Sequence, residues 1–337
     1  MDQYKSSRPE GLTKSSHVLI VDALNFFLRS FAKVNHVTTN GEHIGGLAGF
    51  LKSLGFLIKK LGPTRVILVF DGEGGSTNKR YLYPEYKANR HLERVTNWEA
   101  FEDQEQESDA MISQIVRLIG YLRCLPVDIV ILNKIEADDV VGYLVTKFNK
   151  KVTIVSTDRD YLQLVSDRVS VYSPTKQLLY SPKLLKEQYG VYPQNFLTCK
   201  IVTGDDGDNV PNVAGIKIKT LLKLFPELAS EEEISLDYIL EKSKKEKGKK
   251  YVDICNYEHQ LRINKKLMDL KNLNIPQQDK DYLDEVASSP NNSYNMVSFL
   301  KMFNKDQLEK TIQNPNNWLS DTFVKLKLYK PDTNNNI

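Results

Sequence analysis

Apolar residues in this chain gather into short, β-branched runs, and each run breaks off at or near an acid. Residues 17–21 (HVLIV) stop at Asp22, and residues 65–70 (RVILVF) stop at Asp71. Residues 129–132 lead within a few positions to Glu136, Asp138 and Asp139, and residues 151–156 (KVTIVS) lead to Asp158 and Asp160. Runs this short, alternating with stretches of helical period, predict a parallel sheet with helices on both faces. The helices are expected at 25–31, at 45–61 behind Gly45, Gly46 and Gly49, and at 136–148. Ligands of such sheets bind outside the carboxyl ends of the strands. One Asp after a strand reads as a helix cap or turn residue. The same choice at four strand ends predicts an acid-lined edge instead. Carboxylates crowded there repel one another and call for cations. Mg²⁺ is the natural one, with oxygen ligands and a phosphate completing its shell. Two such ions about 4 Å apart suit in-line phosphodiester hydrolysis.

Residues 201–225 (IVTGDDGDNVPNVAGIKIKTLLKLF) predict helix, loop, tight turn, helix. Asp205 and Asp208 lie in the loop, among Gly204, Gly207 and Pro211. Gly215 makes the turn, flanked by Lys217 and Lys219, and opens a helix whose first amides can hold a phosphate. One reading is a device that holds a nucleic-acid backbone at a fixed distance from metal ions. The plainer one is an ordinary turn with solvated acids, and this stretch alone leaves both open.

Between the second and third runs, residues 73–112 form a long insertion with few core positions. Lys79, Arg80, Lys87, Arg90 and Arg94 alternate there with Tyr81, Tyr83 and Tyr86. Cations interleaved with aromatics suit phosphate contact and base stacking, against the alternative of a solvated basic loop. Residues 99–109 (EAFEDQEQESD) predict an exposed helix. Excursions of this length are often functional or mobile. After residue 225 the strand signals fade. Helices are expected at 234–241, 251–273 and 295–308, and loops at 242–250 (KSKKEKGKK), 290–293 and 314–317. Residues 1–15 and the final TNNNI read as unstructured tails, and no internal repeat is present.

Composition narrows the class. The chain has 337 residues, 41% hydrophobic and 26% charged, enough for one large domain or two moderate ones. No apolar run reaches the roughly 18 residues of a membrane span, and the polar N-terminus lacks the centre of a signal peptide. Cys124, Cys199 and Cys255 are too few and too scattered for a disulfide framework or a zinc cluster. A reducing cytoplasm is expected. A net charge of +3 says little about partners, whereas the segregation of acids from bases points to nucleic acid.

The ordered set Asp22; Asp71-Gly72; YKANR at 86–90; EADD at 136–139; TDRD at 157–160; and GDDGDNVP at 204–211 resembles the flap endonuclease and 5′-3′ exonuclease family. The likeness is to the bacteriophage enzymes and to the 5′ nuclease domain of bacterial DNA polymerase I, over roughly residues 16–225. It implies an α/β fold: a PIN-like (Rossmann-like) parallel sheet with a helical arch, a helix-three-turn-helix motif and a helical C-terminal region. The implied layout is a tail at 1–15, a nuclease core at 16–185 with the arch at about 73–112, and a DNA-binding and helical region at 186–330. The implied activity is metal-dependent cutting of branched or flap DNA and of RNA–DNA primer duplexes during replication. Asp22, Asp71, Glu136, Asp138 and Asp139 would hold one Mg²⁺. Asp158, Asp160, Asp205 and Asp208 would hold a second, with Mn²⁺ able to substitute. Asp206 falls where the family varies and is a bystander. Lys87 and Arg90 match arch-base residues that contact the scissile phosphate, Tyr86 would stack near them, and Arg29 matches a basic position of the first helix. The helix-three-turn-helix would run from about 193 to 224, and such motifs often bind K⁺. The family pattern Gly-Ile-Gly is here Gly215-Ile216-Lys217, which puts the turn and the K⁺ site in question, because lysine lacks glycine's freedom at positive φ. Lys217 could then contact a phosphate directly. A monomer is expected, with a replication clamp or single-strand-binding protein as possible partner. Two other functions stand beside this one: a non-catalytic junction-binding protein on the same fold, and a PIN-type ribonuclease.

Overall fold

A computed structural model describes residues 16–91 and 100–328. Its six-stranded sheet has the order β3-β2-β1-β4-β5-β6. The expected runs become β1 (His17–Asp22), β2 (Arg65–Asp71), β3 (Asp128–Leu132) and β4 (Lys151–Val155). They pair in parallel, as does β5 (Val169–Ser173) with β4. A short β6 (Leu178–Tyr180) closes the sheet antiparallel to β5. The last two strands escaped the sequence reading because VSVYS mixes polar with apolar residues and LLY is only three residues long.

Neighbours in β1 point to opposite faces. Val18 and Ile20 enter one hydrophobic core, while Leu19 and Val21 enter the other. Helix α1 (Ala23–Phe31) leaves β1 directly, with Asp22 as its cap, and packs against α2 (Gly45–Leu61). Then come α3 (Thr77–Leu82), α4 (Gln104–Leu122) and α5 (Ala137–Thr146). Past the sheet lie α6 (Pro182–Tyr189), α7 (Pro193–Thr203) and α8 (Ile218–Leu224). The C-terminal region adds α9 (Leu236–Lys245), α10 (Lys249–Asn256), α11 (Glu258–Met268), α12 (Gln277–Ser288), α13 (Met296–Lys305) and α14 (Pro315–Phe323).

Several local expectations change. In the acidic segment Phe101 and Glu107 are buried, and the helix begins only at Gln104, behind the cap Asp103. The lysine run at 242–250 is mostly helical, ending α9 and opening α10 on either side of Gly248. Lys242 pairs with Glu227 and Lys244 with Glu258, which holds that run against the fold. The helix expected at 251–273 is two helices. The loop expected at 314–317 starts α14, with Pro315 in the first turn, where its missing N–H costs nothing. The two tails lie outside the described residues, as does Arg94.

Strand register decides where the acids go. Asp22 faces Val69 across β1–β2, and Asp71 faces Leu132 across β2–β3. Strand order reverses between β1 and β4, so the carboxyl edge opens a crevice at that point.

Candidate metal and nucleic-acid site

The acids of the carboxyl edge form one connected ring. Ser156 Oγ donates to Asp22 Oδ2 at 3.0 Å and accepts from the Asp158 amide at 3.0 Å. Asp158 Oδ1 in turn accepts from the Asp160 amide at 2.8 Å. Lys200 on α7 donates to both Asp160 and Asp205. Asp205 Oδ1 accepts the amides of Gly207 and Asp208 at 2.8 and 3.3 Å. The Tyr86 hydroxyl lies 3.2 Å from Asp208 Oδ2 and 3.0 Å from Glu136 Oε2. Lys79 then joins Glu136, Asp138 and Asp139 at 2.7, 3.5 and 3.2 Å. The Ala137 amide donates to Asp71 Oδ1 at 2.9 Å, and the Asp71 charge in turn bears on Asp22.

Among the described residues, the tightest group is Glu136, Asp138 and Asp139, whose carboxylate oxygens lie within 4.8 Å of one another. The first turn of α5 makes this possible: Glu136 is its cap residue and the two aspartates follow in the helix.

Electrostatics shows what the ring lacks. Burial, then the charges of Asp71 and Asp158, push the Asp22 carboxyl up to about 7. Burial raises Asp138 well above its ordinary range, and raises Asp139 too, even with the Lys79 ammonium beside both. Burial also raises Glu136, but Lys79 and Lys87 outweigh it and bring that carboxyl down to about 2. Asp160 is buried and sits at about 6 in spite of Lys200. Burial raises Asp205 as well, but the Lys200 charge and two backbone amides outweigh it and take that carboxyl below the usual range. Carboxyls held up by burial and by one another need more positive charge than these lysines supply. An all-oxygen donor set with that deficit fits a hard divalent cation. The ammonium groups of Lys79, Lys87 and Lys200 stand in for that charge here.

The basic insertion lands partly elsewhere than expected. Lys79, expected to contact nucleic acid, is half-buried and pairs with three acids in this arrangement. Tyr86 is 2% exposed, donates to carboxylates and cannot stack on a base. Lys87 pairs with Glu136, lies 3.9 Å from Asp208 and takes a positive φ of 57°. Arg80 and Tyr81 are exposed on α3. Arg90 lies in a 3₁₀ turn (Ala88–His91), and its side chain is outside the described residues. Arg29 is half-buried in the last turn of α1, and its Nε has no hydrogen-bond partner. Asp206 is exposed, as befits a bystander.

The 204–211 loop is built by its backbone. Asp205 and Val210 exchange both amide–carbonyl bonds, at 2.9 and 2.8 Å. Gly204 takes φ +65°, and a Cβ there would meet Val210 O at 2.5 Å. The following turn is not strained by its lysine. Gly215 takes the positive φ of 69°, while Lys217 is an extended cap residue at φ −107°. Lys217 and Lys219 are exposed, and Lys250 Nζ lies 3.3 Å from the Gly215 carbonyl. Lys200 was missed by the sequence reading; its signal is a lysine inside an apolar helix, five residues before Asp205.

Known proteins resemble this chain over most of its length. Residues 17–190 match the family model described as 5′-3′ exonuclease, N-terminal resolvase-like domain. A 5′-3′ exonuclease of Buchnera aphidicola subsp. Schizaphis graminum is 30% identical over 226 residues, covering 65% of this chain and 72% of the relative. The thermostable DNA polymerase I of Thermus thermophilus is 36% identical over 242 residues, covering 70% of this chain but only 27% of the polymerase. The fold is that of bacteriophage T5 5′-exonuclease. A structure of that enzyme with zinc aligns at a TM-score of 0.63 with 22% identity, covering 88% of this chain and all of that one. A T5 flap endonuclease product complex with DNA and metal ions aligns at 0.62 with 20% identity, covering 88% and 98% of the two chains. Sheet order, acid ring and family model lead to one conclusion: this chain belongs to the 5′-3′ exonuclease family.

Proposed function

We propose that this protein is a structure-specific 5′ nuclease, a 5′-3′ exonuclease and flap endonuclease that hydrolyses phosphodiesters and removes RNA primers and flaps in DNA replication. The observation that carries this is the ring of acids whose burial leaves it short of positive charge. Glu136, Asp138 and Asp139, with Asp22 and Asp71 beside them, are the residues to hold one Mg²⁺; Asp158, Asp160, Asp205 and Asp208 are those to hold a second. Bound there, such ions would activate water and offset charge building on phosphate oxygens.

The protein's own groups do the rest. Tyr86 fixes Glu136 relative to Asp208, and Lys200 fixes Asp160 relative to Asp205. Lys217, Lys219 and the first amides of α8 hold duplex phosphates. With metals in place, Lys87 and Arg90 are free to meet the scissile phosphate. Lys250 already occupies a carbonyl of the Gly215 turn, so a K⁺ ion there would compete with it. A non-catalytic junction binder gains nothing from an anionic ring facing phosphates, and a PIN-type ribonuclease does not need the helix-three-turn-helix.

The test is cleavage of a 5′-flap DNA with and without Mg²⁺. Asp158→Asn and Asp205→Asn should each lose cleavage by orders of magnitude while still binding the flap. Wild-type turnover by either variant would remove the two-ion site. In the same assay Lys87→Ala should lower the single-turnover rate by ~10²-fold, a typical loss for one group that stabilises transition-state charge. An unchanged rate at saturating enzyme would make Lys87 a docking residue.

A further inference from the structure

Beside the acid ring, outside the carboxyl ends of β4 and β5, lies a cavity of about 150 Å³. Its polar wall is Thr157, Arg159, Ser173, Thr175 and Lys176, and Asp158 of the ring forms its inner rim. The pocket is rigid where it matters. Thr157 is tied to Asn25 Oδ1 through both its amide, at 3.2 Å, and its hydroxyl, at 2.8 Å. The Ser156 amide bonds to Tyr172 O at 3.2 Å, which fixes one loop to the neighbouring strand. Lys176 donates to the Tyr180 hydroxyl at 3.0 Å and lies over that ring, 5.8 Å from its centre.

Arg159 and Lys176 are close enough to repel each other. Among the described residues neither takes part in an ion pair. Two exposed cations lining one pocket together with hydroxyls, neither paired with a carboxylate among the described residues, make a seat for an anion. Size restricts the anion. Pockets for drug-sized ligands run to about 300–1,000 Å³, while this one holds about five waters' worth of liquid volume. A single phosphate fits a space of this size.

We propose that this pocket binds one phosphate of the nucleic-acid substrate, held between Arg159 and Lys176. The proposal rests on the 5′ nuclease reading, and it extends the contact surface to the β4–β5 side, opposite the basic insertion. An internal phosphodiester and a terminal 5′-phosphate share this chemistry.

The experiment uses the full chain, with Arg159→Ala, Lys176→Ala and the double variant, on flap DNAs carrying one neutral methylphosphonate at each successive position. A parallel pair of flaps ends in 5′-phosphate or 5′-hydroxyl. Binding is measured without metal, and single-turnover cleavage with Mg²⁺. The double variant should bind about 10-fold more weakly at moderate salt, with a salt slope flattened by about one. Its rate at saturating enzyme should stay within about 3-fold of wild type, the usual mark of lost uniform binding. Wild type should lose about the same affinity when one particular phosphate is neutralised, and the double variant should not notice that change. Sensitivity at an internal position identifies a phosphodiester, and sensitivity only to the end group identifies the terminal phosphate. Arg159→Lys, which keeps the charge, should retain most of the affinity. If every phosphate position affects wild type and double variant alike, the pocket is not a phosphate site. Wild type that binds with the predicted phosphate dependence but never cleaves would remove the nuclease reading and leave the pocket standing.

Discussion

Lys200 shows how much one residue can carry. It is buried on α7 and bridges Asp160 and Asp205, which come from separate parts of the chain. Removing one partner of a buried ion network leaves the others charged and unpaired, which costs about 3–5 kcal/mol. Lys200→Ala should therefore destabilise the metal-free protein by about that much at neutral pH. The loss should shrink in acid, because the orphaned carboxyls can then take up protons. Mg²⁺ should restore part of the stability by supplying the missing charge. Urea melts in EDTA and in Mg²⁺ measure this, and identical curves for wild type and variant in EDTA would refute the bridging role. The acids themselves were legible in the sequence because each follows an apolar run. The lysines that neutralise them were not, since pairing across distant segments leaves no local pattern. Lys79 and Tyr86 show the same limit: a basic, aromatic segment suggested contact with nucleic acid, and the fold turns both onto carboxylates.

At the scale of elements, the α7–loop–α8 unit joins the ring to the outside. One end supplies Asp205 and Asp208; the other exposes Lys217 and Lys219 beside the Gly215 turn. Each phosphate contact releases condensed counterions, so log K against log salt changes by about 0.9 per contact on duplex DNA. Lys217→Ala with Lys219→Ala should weaken duplex binding and flatten that slope by about 1.8. Titrations at several salt concentrations would show it, and an unaltered slope would place both lysines off the DNA. The α9–α10 hairpin reaches the same turn through Lys250, and the lysine run read as a solvated loop is mostly helical, with residues 244–249 exposed. Its charge pattern was visible in sequence. Its helicity was obscured because Gly248, at φ +142°, interrupts the run and separates two helices.

For the whole molecule, both hydrophobic cores cross the chain from end to end. One joins Val18 to Leu283, and the other joins Leu19 to Phe323. The last helices are thus part of the packing beneath the sheet. Phe299 meets Tyr121 edge to face and stacks on Phe303, and Trp318 meets both Phe299 and Phe323. Phe303→Ala should cost about 3–5 kcal/mol, the usual loss for a buried phenylalanine. It should also shift one cooperative transition seen alike by far-ultraviolet circular dichroism and by flap-DNA binding. Two separated transitions would mean that the C-terminal helices fold as an independent unit.

The sequence by itself determined the strand runs, their parallel pairing, the acids at their ends and the loop with Asp205 and Asp208, all encoded by short-range alternation and turn chemistry. It also carried the family likeness, because that likeness is an order of motifs along the chain. Tertiary structure alone decided which cation meets which acid, that Tyr86 is buried, that Lys217 needs no positive φ, and that Arg159 and Lys176 face one small cavity. These depend on register and on helix docking between residues far apart in sequence. A one-residue slip in a strand would turn every side chain to the other face, and no local pattern records which long-range partner then stands opposite.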